Sequence, residues 1–309
     1  MTAPGTWVAV DVGGTKIRAA RVEADGRLTD EATWPTPGGD GRAVLESIAA
    51  MIHERVAGRA LQRVGLAMPG GIDPSSGRLL RSQNLPDLAE LDVPGDLARR
   101  VAAPVSIDND GTLAAIGERS QGAARGVDDL AVIAVGTGVG AGIITGGRPL
   151  RGARGLAGEL ADLPLLGDAF DPRQRAQGPL EYRLGAVGLL RRYRELAGDP
   201  ASDVRTMLAS VERDDAAARV ADELVHGLAL VVAAVRAVVD PGLVVLTGGI
   251  GAATDIAERV AEVAGELCDH ELEVVRSELG DRASLVGAGV LALGLVPGWV
   301  ERGPSTTAV

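Results

Sequence analysis

The chain has 309 residues, 46% hydrophobic but only 2% aromatic, with a net charge of −11. That length suits two ordinary domains whose cores are packed from Val, Leu, Ile and Ala rather than large rings. The acidic balance argues against nucleic acid or an anionic membrane surface as partner, because both need basic protein surface to offset their phosphates, and it points to a small molecule.

Strand patterns run over Trp7 to Val12, Ile17 to Val22 and Leu28 to Thr33, followed by helical spacing from Arg42 to Val56. Arg63 to Ala67 and Pro104 to Ile107 read as further buried strands, the second ending at Asp108-Asn109-Asp110, and Leu113 to Gln121 as a helix that begins just beyond it. The second half opens with strands Leu130 to Val135 and Ala141 to Ile144. Helices are expected over about Leu180 to Leu196 and Asp215 to Val239, then a strand at Leu243 to Thr247, a helix at Thr254 to Leu267 and a last helix from Gly287 onward, with Glu301 to Val309 a frayed tail. The apolar stretches Leu228 to Val239 and Leu285 to Val300 are interrupted by Arg236 or by Gly and Pro, so both read as buried elements rather than membrane spans. Cys268 is the sole cysteine, which excludes an internal disulfide and fits a reducing cytoplasm. The first residues lack a basic stretch followed by an apolar run, so no secretion leader is expected.

Two glycine-rich tips carry the chemistry: Asp11-Val12-Gly13-Gly14-Thr15-Lys16 after the first strand, and Gly136-Thr137-Gly138-Val139-Gly140 after a later one. Without a Cβ, such a tip turns at positive φ and brings successive N–H groups close to phosphate oxygens. Either tip alone is also an ordinary hairpin turn. The repetition of strand, glycine turn and strand in both halves is what suggests two similar domains facing one cleft, with an ATP-sized phosphate chain between them. Neither tip follows the P-loop or dinucleotide-fold spacing. Phosphoryl transfer to an alcohol also needs a carboxylate to take the hydroxyl proton. Asp110, at a strand end and a helix start, is the candidate, although Asn-Asp-Gly is equally a turn signal and Asp a good N-cap.

These pieces, taken together, resemble the ROK family of sugar kinases and repressors, specifically its bacterial glucokinase branch. The matching segments come in family order: DVGGTK at 11–16, MPGGID at 68–73, NL at 84–85, IDNDGTLAAIGE at 107–118, VGTGVGAGII at 135–144, GARGLAGEL at 152–160 and DPGLVVLTGGIG at 240–251. The resemblance implies a duplicated actin-like (RNase H-like) α/β ATPase fold with an interdomain cleft. The expected division is a smaller domain over 1–120 and a larger one over 121–309, a helix near 285–300 packing back on the first. It further implies an ATP-dependent hexose kinase with Asp110 as base. Asn84, Asn109, Asp110, Glu159, Asp162 and Glu181 would bind the sugar. Gly13, Gly14, Thr15, Lys16, Thr137 and Gly138 would hold phosphates, Gly248 and Gly249 would admit the adenosine, and Asp11 would meet Mg²⁺ through water. The 6-hydroxyl of glucose is the default acceptor and a homodimer the expected assembly. An amino sugar or N-acetylhexosamine kinase, or a non-catalytic sugar-responsive regulator, are the alternatives.

The departures from the family pattern are informative. Family members commonly carry a histidine after the AGE motif and then a cysteine-rich zinc loop. Here Asp162 stands in the histidine's place, residues 163–180 contain no Cys or His, and Pro179 replaces a family cysteine. Structural zinc needs about four N or S ligands, which Cys268 and His270 do not supply, so no zinc site is expected. A carboxylate in the histidine's place suggests an ammonium-bearing sugar as one way the substrate could have changed.

Overall fold

The computed structural model describes residues 5–38, 40–81, 85–197, 203–268 and 272–304; Asn84 and His270 lie outside the described residues. The first part contains β1 (Thr6–Val12), β2 (Lys16–Val22), β3 (Leu28–Pro35), α1 (Gly41–Val56), β4 (Leu61–Met68), α2 (Val93–Val101), β5 (Val105–Asn109) and α3 (Asp110–Gln121). The second contains β6 (Leu130–Val135), β7 (Val139–Thr145), β8 (Arg148–Pro149), α4 (Pro179–Leu184), α5 (Ala186–Ala197), α6 (Asp215–Val239), β9 (Leu243–Thr247), α7 (Thr254–Leu267), β10 (Glu273–Arg276), α8 (Ala283–Ala292) and β11 (Val300–Arg302).

The larger sheet has the order β11-β5-β4-β1-β2-β3 and the smaller β8-β7-β6-β9-β10. In each, an antiparallel meander of three strands is extended by parallel strands on the side of the meander's first strand. Leaving β11 aside, both sheets therefore have the same strand sequence. This repeated topology is the duplicated actin-like (RNase H-like) fold. The parallel strands read as continuous apolar runs because helices cover them, as in Leu243–Thr247, where every residue is buried. The helix α6 matches its expected span and presents Val220, Leu224, Leu228, Val231, Val232 and Val235 at helical spacing to the second sheet's core.

α3 and α8 lie between the sheets, joining a mixed core that includes Ala9, Ala67, Leu113, Val132, Leu285 and Leu291. Their approach depends on glycine. A Cβ on Gly287 would lie 1.8 Å from the Leu113 carbonyl oxygen, and one on Gly117 would lie 2.2 Å from that of Ala283. α3, whose first residue is Asp110, is thus pressed between the two halves.

Three expectations need correction, and one strand was not expected. The helix expected over Leu180 to Leu196 is two helices, because Gly185 adopts an extended backbone and Ala186 N–H turns out to bond the Gly136 carbonyl at 3.0 Å. The last helix starts at Ala283 and stops at Ala292, since Gly294 sits at φ 76 and Pro297 follows. The supposed tail begins with a strand: Val300–Arg302 pairs antiparallel with Val105–Ile107. Leu243–Thr247 is followed in its sheet by a short parallel strand, Glu273–Arg276, which lacks the apolar run that would announce it.

Candidate active site

The first tip closes β1 onto β2 through a hydrogen bond from Gly13 N–H to the Lys16 carbonyl at 2.9 Å, and Thr36 supports it by donating its hydroxyl to the Gly13 carbonyl at 2.6 Å. Asp11 and Arg18 stand directly opposite each other across the ladder, and Arg18 Nη2 meets Asp11 Oδ2 at 3.1 Å. Gly13, unlike the sequence expectation, has ordinary φ, as do Gly138 and Gly249. Their role is the space left by the missing side chain.

The second tip is braced from behind by α4. Glu181 accepts a hydrogen bond from Val139 N–H at 3.2 Å, and a Cβ on Gly138 would come within 2.5 Å of the same carboxylate oxygen. Gly248 does have positive φ, at +84, and its Cβ would lie 2.4 Å from the Val135 carbonyl oxygen, so it packs the strand end against the tip. Nothing lies within 4 Å of a Cβ built on Gly249.

Asp110 enters from the third side. Asn109 caps α3 by accepting from Thr112 N–H at 2.9 Å, and its amide donates to the Gly70 carbonyl at 3.0 Å and to Glu159 Oε1 at 3.4 Å. Glu159 is aimed by Gly158, whose φ of +92 and close fit under Ala141 leave no room for a Cβ. Asp110 itself accepts from Gly111 N–H at 2.8 Å. Its pKa is pushed up to about 7, first by burial, then by the Asp11 charge and more weakly by Glu159, with the Gly111 N–H pulling the other way. Burial likewise raises Asp11, offset in part by Arg18 and Lys16.

These groups line one cavity of about 350 Å³: Asp11, Gly13, Gly14, Thr15, Lys16, Asn109, Asp110, Thr137, Gly138, Glu159, Asp162, Glu181 and Gly248 all reach it. Gly249 does not line it. Carboxylates dominate its charge, with Lys16 and Arg18 the two cationic lining residues against Asp11, Asp110, Glu159, Asp162, Glu181 and Asp281. Among the described residues no group of three or more His, Cys, Asp or Glu side chains is arranged to hold a metal ion. Mg²⁺ fits such a site nonetheless, because it uses one or two carboxylates together with substrate phosphates rather than an all-protein cage, and a divalent charge would offset the burial that raises both Asp11 and Asp110.

Sequence reasoning missed the supporting ion pairs. Arg151 bonds Asp108 Oδ2 through Nε at 2.9 Å and Nη2 at 2.6 Å and reaches the Pro297 carbonyl at 3.2 Å, anchoring the strand end just before the Asn109-Asp110 pair. Burial raises the Asp108 pKa, with Arg151 opposing it. Glu118, fully buried at the far end of α3, accepts from Ala123 N–H at 2.8 Å, from Leu279 N–H at 3.3 Å and from the Ser277 hydroxyl, fixing the loop that carries Asp281. Hairpin symmetry about the first tip is the signal that would have paired Asp11 with Arg18. The partners of Asp108, Glu118 and Lys16 are too distant in sequence to leave one.

Known proteins similar to the chain carry the names of sugar kinases. A model of the ROK family matches residues 7–294. The chain is 30% identical to a glucokinase of Thermotoga maritima, over 91% of this chain and 95% of that one, and 30% identical to an N-acetylmannosamine kinase of Escherichia coli O157:H7, over 94% and 99%. Among solved structures it resembles a ROK hexokinase from Thermus thermophilus at 30% identity and a TM-score of 0.78, covering 92% of this chain and 97% of that one. A ROK family glucokinase from Streptomyces griseus, in complex with glucose and AMPPNP, gives 26% identity and a TM-score of 0.75 over 93% and 99%. With the family model spanning nearly the whole chain and the duplicated fold agreeing, the chain belongs to the ROK family.

Proposed function

We propose that the protein is an ATP-dependent sugar kinase that phosphorylates a hexose, with the 6-hydroxyl of glucose as acceptor. The observation that carries this reading is the placement of Asp110: a partly buried carboxylate at a helix N-terminus, raised to about 7, between two glycine tips in one cavity. The relatives named glucokinase, and the one solved with glucose and a nucleotide analogue, support the substrate pair. Asp110 accepts the sugar hydroxyl proton late in the transfer, which suits a base poised near neutral pH. Asn109, Glu159, Asp162 and Glu181 hold the sugar's hydroxyls, as does Asn84, which lies outside the described residues. Gly13, Gly14, Thr15, Lys16, Thr137 and Gly138 cradle the phosphates, and Gly248 and Gly249, the second just outside the cavity lining, let the adenosine approach the backbone. Asp11 would hold Mg²⁺ through water, and the metal when bound would offset the charge of the transferring phosphoryl group. The residues fall into two lobes, 1–120 and 121–309, that close on the substrates and exclude water. A homodimer in the cytoplasm completes the reading; among the described residues no helix is long and apolar enough to cross a membrane.

A second reading has support of its own. The excess of carboxylates along the cavity, with Asp162 among them, suits a cationic amino sugar whose ammonium would pair with Asp162. Relatives named N-acetylmannosamine kinase keep N-acetylhexosamines in view as well. The test is sugar 6-phosphate formation from Mg-ATP with glucose, mannose, glucosamine, N-acetylglucosamine and N-acetylmannosamine at equal concentration. Highest kcat/KM for glucose upholds the main reading. Highest kcat/KM for glucosamine, lost in Asp162→Asn, replaces it with the second.

A further inference from the structure

Of the 31 Lys and Arg residues in the chain, Lys16 alone is a lysine. It is also the cation of the first tip, and in this structure its ammonium is held by Asp281, Nζ to Oδ2 at 3.0 Å. The same oxygen takes Arg18 Nη1 at 3.0 Å, and Arg18 Nη2 donates to the Asp281 main-chain carbonyl. Asp281 is itself anchored from the other half of the molecule: Thr247 donates its hydroxyl to the Gly280 carbonyl at 3.0 Å, and Gly280 N–H bonds the Ser277 hydroxyl at 2.6 Å. Burial would raise the Asp281 pKa, but Lys16 and Arg18 outweigh it and hold the carboxyl low, so it is an anion at neutral pH.

The two cations differ in freedom. Arg18 is 13% exposed and tied to Asp11 as well as Asp281, whereas Lys16 is 47% exposed. A guanidinium in the lysine's place would grip a carboxylate with two parallel N–H bonds, while an ammonium on a flexible four-carbon stem exchanges partners more readily. The chain uses arginine at its other basic positions and lysine at the partly exposed cation of the first tip.

We infer that Asp281 competes with the phosphoryl donor's phosphates for Lys16, Arg18 staying in place, and so sets the donor's affinity without touching the sugar. The inference rests on the kinase reading above but concerns the donor alone. An anion that already neutralises the tip's lysine must be displaced before a polyphosphate gains the full attraction of that ammonium. Arg18 keeps the loop at Gly280–Arg282 on the tip through Asp281, so the exchange moves one cation without parting the halves.

The inference is tested by kinetics and by one resonance. Asp281→Asn keeps the shape and removes the competing charge; KM for Mg-ATP is expected to fall about two- to fivefold, the range of a partly exposed ion pair, with KM for the sugar unchanged. Lys16→Arg is expected to raise KM for Mg-ATP, and less so in the Asp281→Asn background. An unchanged or higher KM for Mg-ATP in Asp281→Asn, or an equal shift in the sugar's KM, overturns the proposal. Protein labelled with ¹⁵N-lysine gives a single Nζ signal. Without donor, that signal should differ between wild type and Asp281→Asn, and a nonhydrolysable ATP analogue should bring the two together. A difference that persists with the analogue bound, or a wild-type signal the analogue does not move, overturns it. The resonance reads donor binding alone, so a failed sugar assay and a failed competition are told apart.

Discussion

The two glycine tips occupy equivalent places in two sheets of the same topology, yet they are built on different principles. The first is electrostatic: Asp11, Lys16, Arg18 and Asp281 form one connected set of charges around it. The second carries no charge of its own. It is held by shape, through Gly248 under Val135, Gly185 against the Thr137 carbonyl, and the Glu181 carboxylate on Val139 N–H. The two tips share a backbone plan, but charges surround the first, while close packing and the Glu181 carboxylate fix the second.

Removing the carboxylate that faces the charged tip from α3 should give the largest effect. Asp110→Asn is expected to lower kcat by about 10²- to 10⁴-fold, the worth of a positioned general base, with little change in the sugar's KM. The same variant should be more stable at alkaline pH. A carboxyl whose folded pKa is raised stabilises the fold while protonated, and that contribution is lost as pH rises through about 7. Thermal melts at pH 8 and at acid pH below the ordinary carboxylate range check this: a higher Tm for the variant at the first and equal Tm at the second.

Breaking the shape-built side should cost stability before chemistry. Gly248→Ala combines positive φ with a carbonyl 2.4 Å away, and roughly 2 kcal/mol or more is expected from strain of that kind. Denaturant unfolding measures it. The neighbour is the control, since Gly249→Ala meets nothing within 4 Å and should cost about 0.5 kcal/mol or less.

A subtler prediction concerns the interplay of Asp11 and Asp110. The acidic limb of the pH profile of kcat/KM should lie near 7, because Asp110 must be ionised to accept a proton and the free enzyme's base sets that limb. Removing the neighbouring charge with Asp11→Asn lowers the cost of ionising Asp110, so the residual activity should show its limb moved to lower pH. A limb that stays in place would show that burial and the Glu159 charge, not Asp11, raise Asp110.

Much of this was legible in the sequence. The long helix Asp215–Val239 and the strand Leu243–Thr247 declare themselves by apolar periodicity, and Asp110 by its place where a buried strand meets a helix. What stayed hidden depends on contacts remote in sequence. Gly185 breaks a helix because Ala186 N–H has a better partner in the second tip, and no local pattern records that partner. Val300–Arg302 becomes a strand because β5 offers it an edge. Asp281 meets Lys16 only when two sheets have been brought together by α8.

The most direct test of the account is single-turnover and steady-state ADP release with Mg-ATP and glucose, wild type beside Asp110→Asn. Glucose-dependent turnover that falls at least about 100-fold in the variant, with the sugar still bound, is the predicted result. Glucose-dependent turnover that survives the substitution would contradict the assignment of Asp110 as the base, and no turnover with any sugar of the panel would contradict the kinase reading itself.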